Sequence, residues 1–485
     1  MTVAQTAYGR VRGTEIADGV LGWRGIPYVS PPVGDLRLRP PRPPLPWTGV
    51  RDAVAYGSRS LQPPGQLPEP DLPPMDEDCL YLNVTAPAGA KDRPVLFWIH
   101  GGGFETGHGP SQAGDGAAFA ASHGVIVVTF NYRLGALGFL DVEDEDPTGA
   151  LGLHDQIAAL RWTRENIAAF GGDPGQITVY GLSAGGKSVT NLLASPLTAG
   201  MIRRAAESSG GDHLKDQAQA RALAARFFGE LGTAPDRVRT VPASDIMLAQ
   251  LAVAAPPQST WLWRPSIDGT ALTVHPQRAI EAGAAAGVPL LMQTCARECA
   301  FYQLLSPDAA EQADRVLTGY FGASVKDSLL AAYAAMHPEL DDTALRTAIW
   351  TDERYVVRVG RLADAQSAHA PVWRSRYDGP YTGFTDDPEF AGYEKLLHGA
   401  HGADGLAVWD GRGGDGLARA LHDAWGAFAR TGDPGWGRYT TDDRKTMIFG
   451  PAGPRLAADP FASVRSAWQG LDWQPGPWWR YDEGA

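Results

Sequence analysis

Four short apolar runs divide the chain, and most of them end at a glycine or a polar residue. They cover residues 95–99, 125–130, 177–180 and 288–292, and residues 372–377 are a later strand candidate. Because apolar and polar residues do not alternate within these runs, each run predicts a strand that is buried on both of its faces.

A helical pattern separates the second and third runs. From Asp155 to Phe170 apolar residues recur at helical spacing, and Gly171-Gly172 with Asp173-Pro174 marks the end of the helix. Strands that alternate with helices predict an α/β fold, in which helices flank a central, mostly parallel sheet. Ligands of such sheets bind at the carboxyl ends of the strands, where we expect His100, Ser183 and Glu298.

A serine between two glycines follows the third run, in the sequence Gly181-Leu182-Ser183-Ala184-Gly185. Gly-x-Ser-x-Gly between a strand and a helix is typical of the nucleophile turn of serine hydrolases. The glycines leave room for the sharp turn, since a Cβ atom at either position would collide with neighbouring backbone. A turn with a capping serine is the alternative interpretation of this pentapeptide.

A serine hydroxyl is a weak nucleophile, so it needs a base that takes its proton and donors that bind the oxyanion. The loop His100-Gly101-Gly102-Gly103-Phe104 follows the first run and predicts those donors. We expect an oxyanion hole formed by the N–H groups of Gly102, Gly103 and Ala184. A flexible hairpin would also fit the loop alone, but two motifs that each follow a strand favour catalysis.

Composition narrows the possible partners and cofactors. The chain has 485 residues, 44% of them hydrophobic, and a formal net charge of -13. This charge disfavours binding to nucleic acid or to an anionic membrane, and no apolar stretch is long enough to predict a transmembrane helix. Because Cys79, Cys295 and Cys299 suit neither a disulfide framework nor a zinc site, we predict buried thiols, no metal and no cofactor.

Further motifs occur along almost the whole chain. They are Gly25-Ile26-Pro27-Tyr28, Glu77-Asp78-Cys79-Leu80-Tyr81-Leu82-Asn83-Val84, Asn131-Tyr132-Arg133-Leu134-Gly135, Phe170-Gly171-Gly172-Asp173-Pro174 and Phe428-Ala429-Arg430-Thr431-Gly432-Asp433-Pro434. With the serine motif they resemble the type B carboxylesterases and lipases, the family of the cholinesterases and of bacterial para-nitrobenzyl esterases. The resemblance implies the α/β-hydrolase fold, and we expect residues 1–485 to form one domain.

The resemblance also implies an acid and a base. Residues 293–299 are similar to the family's Gly-x-x-x-x-Glu-Gly pattern with both glycines replaced, so Glu298 takes the position of the acid. Residues 398–404 resemble the family's Gly-x-x-His-Gly-x-Asp/Glu loop, in which His401 is the base. His398 is the nearest rival, but the family pattern has no base at its position.

In this assignment each residue has a defined role. His401 removes the proton of Ser183 and then protonates the leaving alcohol, while Glu298 orients the imidazole and stabilises the imidazolium. The order serine, acid, histidine along the chain is the order of this fold. Ser209 resembles a position that forms a hydrogen bond near the acid.

Two further positions differ from the residues that the family usually has there. Leu182 stands where the family usually has a glutamate, which removes a negative charge near His401 and disfavours cationic choline esters. Cys79 lacks an upstream partner because Leu61 stands in the corresponding region. A free thiol favours the cytoplasm, although a chain trimmed of a signal peptide would look the same, so secretion stays open.

Other residues resemble parts of the family's scaffold or gorge. Two ion pairs, Arg133 with Asp155 and Arg37 with Glu77, are implied to stabilise the scaffold. Residues 61–76 would form a loop at the mouth of the gorge. Four aromatic side chains could line the acyl side or belong to the core: Trp261, Trp263, Phe301 and Tyr302.

The sequence therefore predicts a serine carboxylesterase that hydrolyses small to medium, mostly uncharged esters through an acyl-enzyme. A lipase, thioesterase or amidase with the same triad is the close alternative. A non-catalytic, cholinesterase-like binding protein is the alternative from another class, and the retained triad disfavours it. We expect a small-molecule ester as partner, neither nucleic acid nor a membrane, and the sequence does not indicate an oligomeric state.

Overall fold

The computed structural model describes residues 2–63, 72–111, 114–142, 146–254, 262–306, 308–381, 397–411 and 416–473. The strands within these residues are β1 (Thr2–Gln5), β2 (Arg10–Ala17), β3 (Val20–Pro27), β4 (Val50–Asp52), β5 (Tyr81–Pro87), β6 (Arg93–Ile99), β7 (Ile126–Phe130), β8 (Gly172–Leu182), β9 (Arg204–Ser208), β10 (Leu290–Cys295), β11 (Val372–Tyr377), β12 (Thr446–Gly450) and β13 (Gly453–Ala457).

The α-helices in the same residues are α1 (Ala117–His123), α2 (Gly135–Phe139), α3 (Leu151–Asn166), α4 (Ala184–Ala194), α5 (Gln217–Leu231), α6 (Ala243–Ala254), α7 (Pro276–Glu281), α8 (Ala300–Leu305), α9 (Ala309–Phe321), α10 (Ala323–Met336), α11 (Asp342–Thr351), α12 (Val357–Ser367), α13 (Gly405–Asp410), α14 (Leu417–Thr431) and α15 (Ala462–Ala467). Short 3₁₀ helices span Gly34–Leu36, Ile167–Phe170, Pro196–Thr198 and Pro235–Thr240, and a π-helical turn spans Asp352–Val356.

The strands form one mixed sheet in the order β1-β2-β3-β5-β7-β6-β8-β9-β10-β11-β12-β13, with β4 paired to β2. From β7 to β12 all neighbours in this order are parallel, whereas β1, β2, β3 and β5 and the last strand, β13, pair antiparallel with their neighbours in the order. The additional pairing of β4 with β2 is parallel. The predicted α/β fold with flanking helices is therefore confirmed, and its parallel part is the centre of the sheet.

Both faces of the central strands are buried, which explains their unbroken apolar runs. In β6 the side chains of Phe97 and Ile99 pack into one cluster with α3 and α4. Leu96 and Trp98 point to the other face and pack with α1, α13 and α14. The five predicted strands all occur in the structure, as β6, β7, β8, β10 and β11.

The predicted helix after residue 155 is also present, but it begins earlier, as α3 from Leu151. Its last turn tightens into the 3₁₀ helix Ile167–Phe170, and Gly171 follows with φ 86°. A left-handed glycine after a helix is the expected stop signal. Among the described residues, no helix combines the length and the apolar character that crossing a bilayer would require.

The register of the central strands aligns their carboxyl ends. Ile99 of β6 pairs with Gly181 of β8, and Leu182 pairs with Ser208 of β9. Ser208 in turn pairs with Gln293 of β10. The residues that follow β6, β8 and β10 are therefore brought to the same edge of the sheet, as predicted for a ligand site.

A buried ion pair stabilises the segment that follows β7. The Arg133 guanidinium donates to the Asp155 carboxylate of α3 through Nη2 at 2.7 Å and Nε at 2.8 Å. The backbone N–H of Arg133 donates to the same carboxylate at 3.0 Å. The second implied pair is present as well, with Arg37 Nη2 at 2.5 Å from Glu77 Oε1. Both predicted ion pairs are thus confirmed.

We expect the substitution Asp155→Ala to lower the free energy of unfolding by about 3–5 kcal/mol, because it leaves a buried guanidinium without its counter-charge. Asp52→Ala is the matched control, since it breaks an exposed pair with Arg12 and should cost no more than about 1 kcal/mol. Chemical denaturation of both variants measures the difference. Equal losses of unfolding free energy in the two variants would show that the buried Arg133–Asp155 pair is no more costly to break than an exposed one.

Candidate active site

Ser183 occupies a sharp turn between β8 and α4. Its backbone has φ 59° and ψ -118°, a conformation that costs a non-glycine residue about 1–3 kcal/mol. Its N–H donates to the Ser208 carbonyl of β9 at 2.9 Å, and its own carbonyl accepts from Lys187 N at 2.9 Å. The turn therefore holds the serine where β8 ends and α4 begins.

The two glycines beside Ser183 are sterically required. A Cβ atom at Gly181 would lie 2.2 Å from the Gly185 carbonyl oxygen, and one at Gly185 would lie 2.0 Å from that of Ile99. Neither separation is possible between real atoms, and both obstacles are backbone. As the sequence pattern predicted, the absence of a Cβ atom at these two positions lets the backbones of β6, β8 and α4 come into close contact.

His401 forms a hydrogen bond with Glu298. The distance from His401 Nδ1 to Glu298 Oε2 is 2.6 Å, and since a carboxylate oxygen only accepts, Nδ1 carries the hydrogen. This fixes the tautomer and leaves Nε2 of the imidazole as a proton acceptor. The structure thus brings the predicted acid and base together across 103 residues of chain.

Two further donors hold the other oxygen of Glu298. Oε1 accepts from the Ser209 hydroxyl at 2.6 Å and from the backbone N–H of Cys295 at 2.7 Å. The Glu298 side chain is completely buried, so a charged carboxylate there depends on such donors. The hydrogen bond that was expected from Ser209 is therefore present, and it restricts the orientation of the acid.

Backbone hydrogen bonds tie the loop of His401 to the sheet edge. The N–H of Arg297 donates to the Gly399 carbonyl at 2.7 Å, and the N–H of His401 donates to the Glu298 carbonyl at 3.2 Å. Asp404 of the same loop is buried and accepts from Gln293 Nε2 at 2.6 Å. Burial raises the pKa of the Asp404 carboxyl.

The loop after β6 has the glycine-dependent shape expected of an amide donor loop. Gly102, Gly103 and Phe104 have φ values of 108°, 66° and 65°. A Cβ at Gly102 would lie 2.1 Å from the Thr106 carbonyl oxygen, so glycine is required there. His100 stacks on Tyr132, with ring centroids 4.4 Å apart, and its Nδ1 lies 2.8 Å from the Gly101 carbonyl.

Ala184, the third predicted donor, is the first residue of α4. The first N–H groups of a helix have no partner within the helix, and they point towards its N-terminal end. The helix N-terminus at Ser183 is therefore suited to bind a developing oxyanion.

Three aromatic rings surround His401. The centroid of its ring lies 4.9 Å from that of Tyr355, 5.5 Å from that of Tyr302 and 6.4 Å from that of Phe301. The hydroxyls of Tyr302 and Tyr355 are 2.7 Å apart, which joins α8 to the π-helical turn. The predicted base is thus packed against aromatic faces.

Comparison with known proteins identifies the family. Residues 1–450 match the carboxylesterase family. The chain belongs to this family. It is 38% identical over 475 residues to the para-nitrobenzyl esterase of Bacillus subtilis (strain 168), a match that covers 92% of this chain and 94% of the relative. It is 34% identical over 504 residues to the phenmedipham hydrolase of Pseudarthrobacter oxydans, covering 94% and 97% of the two chains.

Solved structures give the same result. A para-nitrobenzyl esterase superimposes on this carboxylesterase with a TM-score of 0.83 at 36% identity, covering 96% of this chain and 99% of the other. The carboxylesterase EST55 of Geobacillus stearothermophilus also gives 0.83, at 37% identity, covering 97% and 100%. The protein is a serine carboxylesterase with the α/β-hydrolase fold, and it hydrolyses esters.

Other predicted positions lie elsewhere in this carboxylesterase. His398, the rival base, has a partly exposed side chain 3.5 Å from Asp378. Trp263 belongs to the hydrophobic core, whereas Trp261 and residues 64–71 of the predicted gorge loop lie outside the described residues. The three cysteines are buried and free, as predicted from the sequence.

The sequence analysis missed Tyr355, which lies next to His401, and Lys187, which lies against Tyr355. Tyr355 stacks on the imidazole, and no motif in its segment indicated this contact. Lys187 lies one helical turn after Ser183 and is only 1% exposed. Its position four residues after the serine was the available signal, because residues at that spacing lie on the same face of a helix.

We expect His401→Ala to reduce kcat/KM for p-nitrophenyl acetate by at least about 10³-fold, because the general base is lost. His398→Ala, the matched control on the same loop, should change kcat/KM by less than about threefold, since its ring does not contact Glu298. Steady-state kinetics of both variants test the assignment. A larger loss in the His398 variant would move the base to that residue.

Proposed function

We propose that this carboxylesterase acts through a triad in which Ser183 is the nucleophile, His401 the general base and Glu298 the orienting acid. The observation that carries the proposal is the 2.6 Å hydrogen bond from His401 Nδ1 to the buried carboxylate of Glu298. It holds the imidazole in the tautomer whose Nε2 accepts a proton, and it would stabilise the imidazolium that then forms.

The reaction proceeds in two steps. Nε2 of His401 accepts the Ser183 proton while the serine oxygen attacks the ester carbonyl, and the imidazolium then protonates the leaving alcohol. Water attacks the acyl-enzyme in the second step, with His401 again as the base. Amide donors from Gly102, Gly103 and Ala184 would stabilise the oxyanion in both steps, each by about 3–4 kcal/mol.

Ser183→Ala should abolish covalent labelling by a fluorophosphonate probe and lower kcat for p-nitrophenyl acetate by at least about 10⁴-fold. Ser188→Ala is the matched control, because Ser188 lies on the same helix and only accepts a hydrogen bond from Gln156. It should keep both labelling and activity. If mass spectrometry shows that the Ser183→Ala variant is still labelled, Ser183 is not the nucleophile.

We further propose that the substrates are small to medium esters without a positive charge. Leu182 is buried beside the serine and brings no carboxylate to the site. The partly exposed rings of Phe301 and Tyr302 beside His401 are suited to apolar groups. Below its lowered pKa of about 7, the ammonium of Lys187 on α4 also disfavours a cationic ester.

A matched pair of esters tests this substrate class. 3,3-Dimethylbutyl butyrate has the shape of butyrylcholine without its charge, and we expect its kcat/KM to be at least about tenfold higher. p-Nitrobenzyl and p-nitrophenyl esters of increasing acyl length, together with a thioester and an anilide, define the remaining preference. A preference for butyrylcholine would contradict an apolar, cation-excluding site.

We also propose a cytoplasmic location. The support is that Cys79, Cys295 and Cys299 are free and buried, which suits a reducing compartment. Fractionation of the source cells, followed by immunodetection, tests the location, and recovery of the protein from the medium would contradict it.

A further inference from the structure

A buried lysine is connected to the base through an aromatic ring. Lys187 lies on α4 one turn after Ser183, and its side chain is 1% exposed. Its Nζ atom lies 4.7 Å from the centroid of the Tyr355 ring. The same ring stacks on His401 with a centroid distance of 4.9 Å and an interplanar angle of 28°. One tyrosine thus contacts both the ammonium and the imidazole.

Charged groups from several elements surround this pair. The ammonium of Lys187 interacts electrostatically with the carboxylates of Glu207 on β9 and Glu298 after β10. It also interacts with the guanidinium groups of Arg354 and Arg264. The imidazole of His213, which follows β9, interacts electrostatically with the same lysine. On the side of His401 the buried carboxyl groups are Glu298 and Asp404. The lysine and the imidazole thus share the carboxylate of Glu298 as a charged neighbour.

We propose that Lys187 is a positioning residue that acts on His401 through Tyr355: its positive charge opposes protonation of the resting imidazole and so keeps the base available in mildly acidic solution. The inference rests on the proposed function, because it requires His401 to be the general base. It concerns the pH range of the reaction, whereas the triad concerns the reaction itself.

The sign of the effect follows from the protonation states. Burial lowers the pKa of Lys187 to about 7, so its ammonium is charged below that pH, where an imidazole would gain a proton. Burial raises the pKa of Glu207 to about 7, so the opposing carboxylate loses its charge over the same range. Leu182, in place of a carboxylate, acts in the same direction as the lysine.

Lys187→Met tests the inference, since it removes the charge and keeps a long apolar side chain. The quantity measured is the pH dependence of kcat/KM for p-nitrophenyl acetate. We expect the acidic limb of the profile to move towards neutral pH by about half to one unit, with little change of KM at the plateau. If this variant does not fold, Lys187→Gln is measured in its place, and the same shift of the acidic limb is expected.

Lys215→Met is the matched control. Lys215 is also a buried lysine whose pKa is lowered by burial to about 7, but its Nζ donates to the Phe139 carbonyl and lies 5.9 Å from the Trp263 ring centroid. Its loss should affect stability and leave the acidic limb in place, so it separates a structural effect from an electrostatic one.

The outcomes distinguish the two proposals. An acidic limb that stays in place in a folded Lys187→Met or Lys187→Gln variant, or that moves equally in the Lys215 variant, would overturn the role of Lys187 while leaving the triad intact. Retained activity in His401→Ala would instead overturn the triad, and with it the premise of the inference.

Discussion

Close contact between three backbone segments around Ser183 is the constraint on which the site depends. β6, β8 and the first turn of α4 approach so closely that no side chain fits at Gly181 or Gly185. This packing forces the chain through a left-handed conformation at the serine, and the surrounding hydrogen bonds hold it there. The serine is thus placed by backbone geometry.

The same sheet edge connects Ser183 to His401. Ser183 N bonds to the Ser208 carbonyl, and Ser209 N bonds to the Gln293 carbonyl of the next strand. Beyond β10, Arg297 N bonds to the Gly399 carbonyl in the loop of His401. Each residue of the proposed triad is therefore attached to a continuous series of backbone hydrogen bonds, which favours the fixed positions that catalysis requires.

The sequence predicted the parts of this arrangement that backbone constraints determine. The apolar runs identified the central strands because these strands are buried on both faces. Glu298 lies within hydrogen-bonding distance of His401 although both glycines of the family pattern are replaced, since its place depends on where β10 ends. The antiparallel strands β1 to β3 were not predicted, because they are partly exposed and lack a continuous apolar run.

Contacts between side chains that are distant in the chain could not be predicted in the same way. Tyr355 reaches His401 only because a π-helical turn joins α11 to α12 at that point, and no local pattern encodes this meeting. Its ring attracts cations through its quadrupole, and Lys187 already lies over it. Because the Tyr355 ring is completely buried, it is closed to a cationic substrate, and the partly exposed rings of Phe301 and Tyr302 beside His401 offer mainly apolar contact.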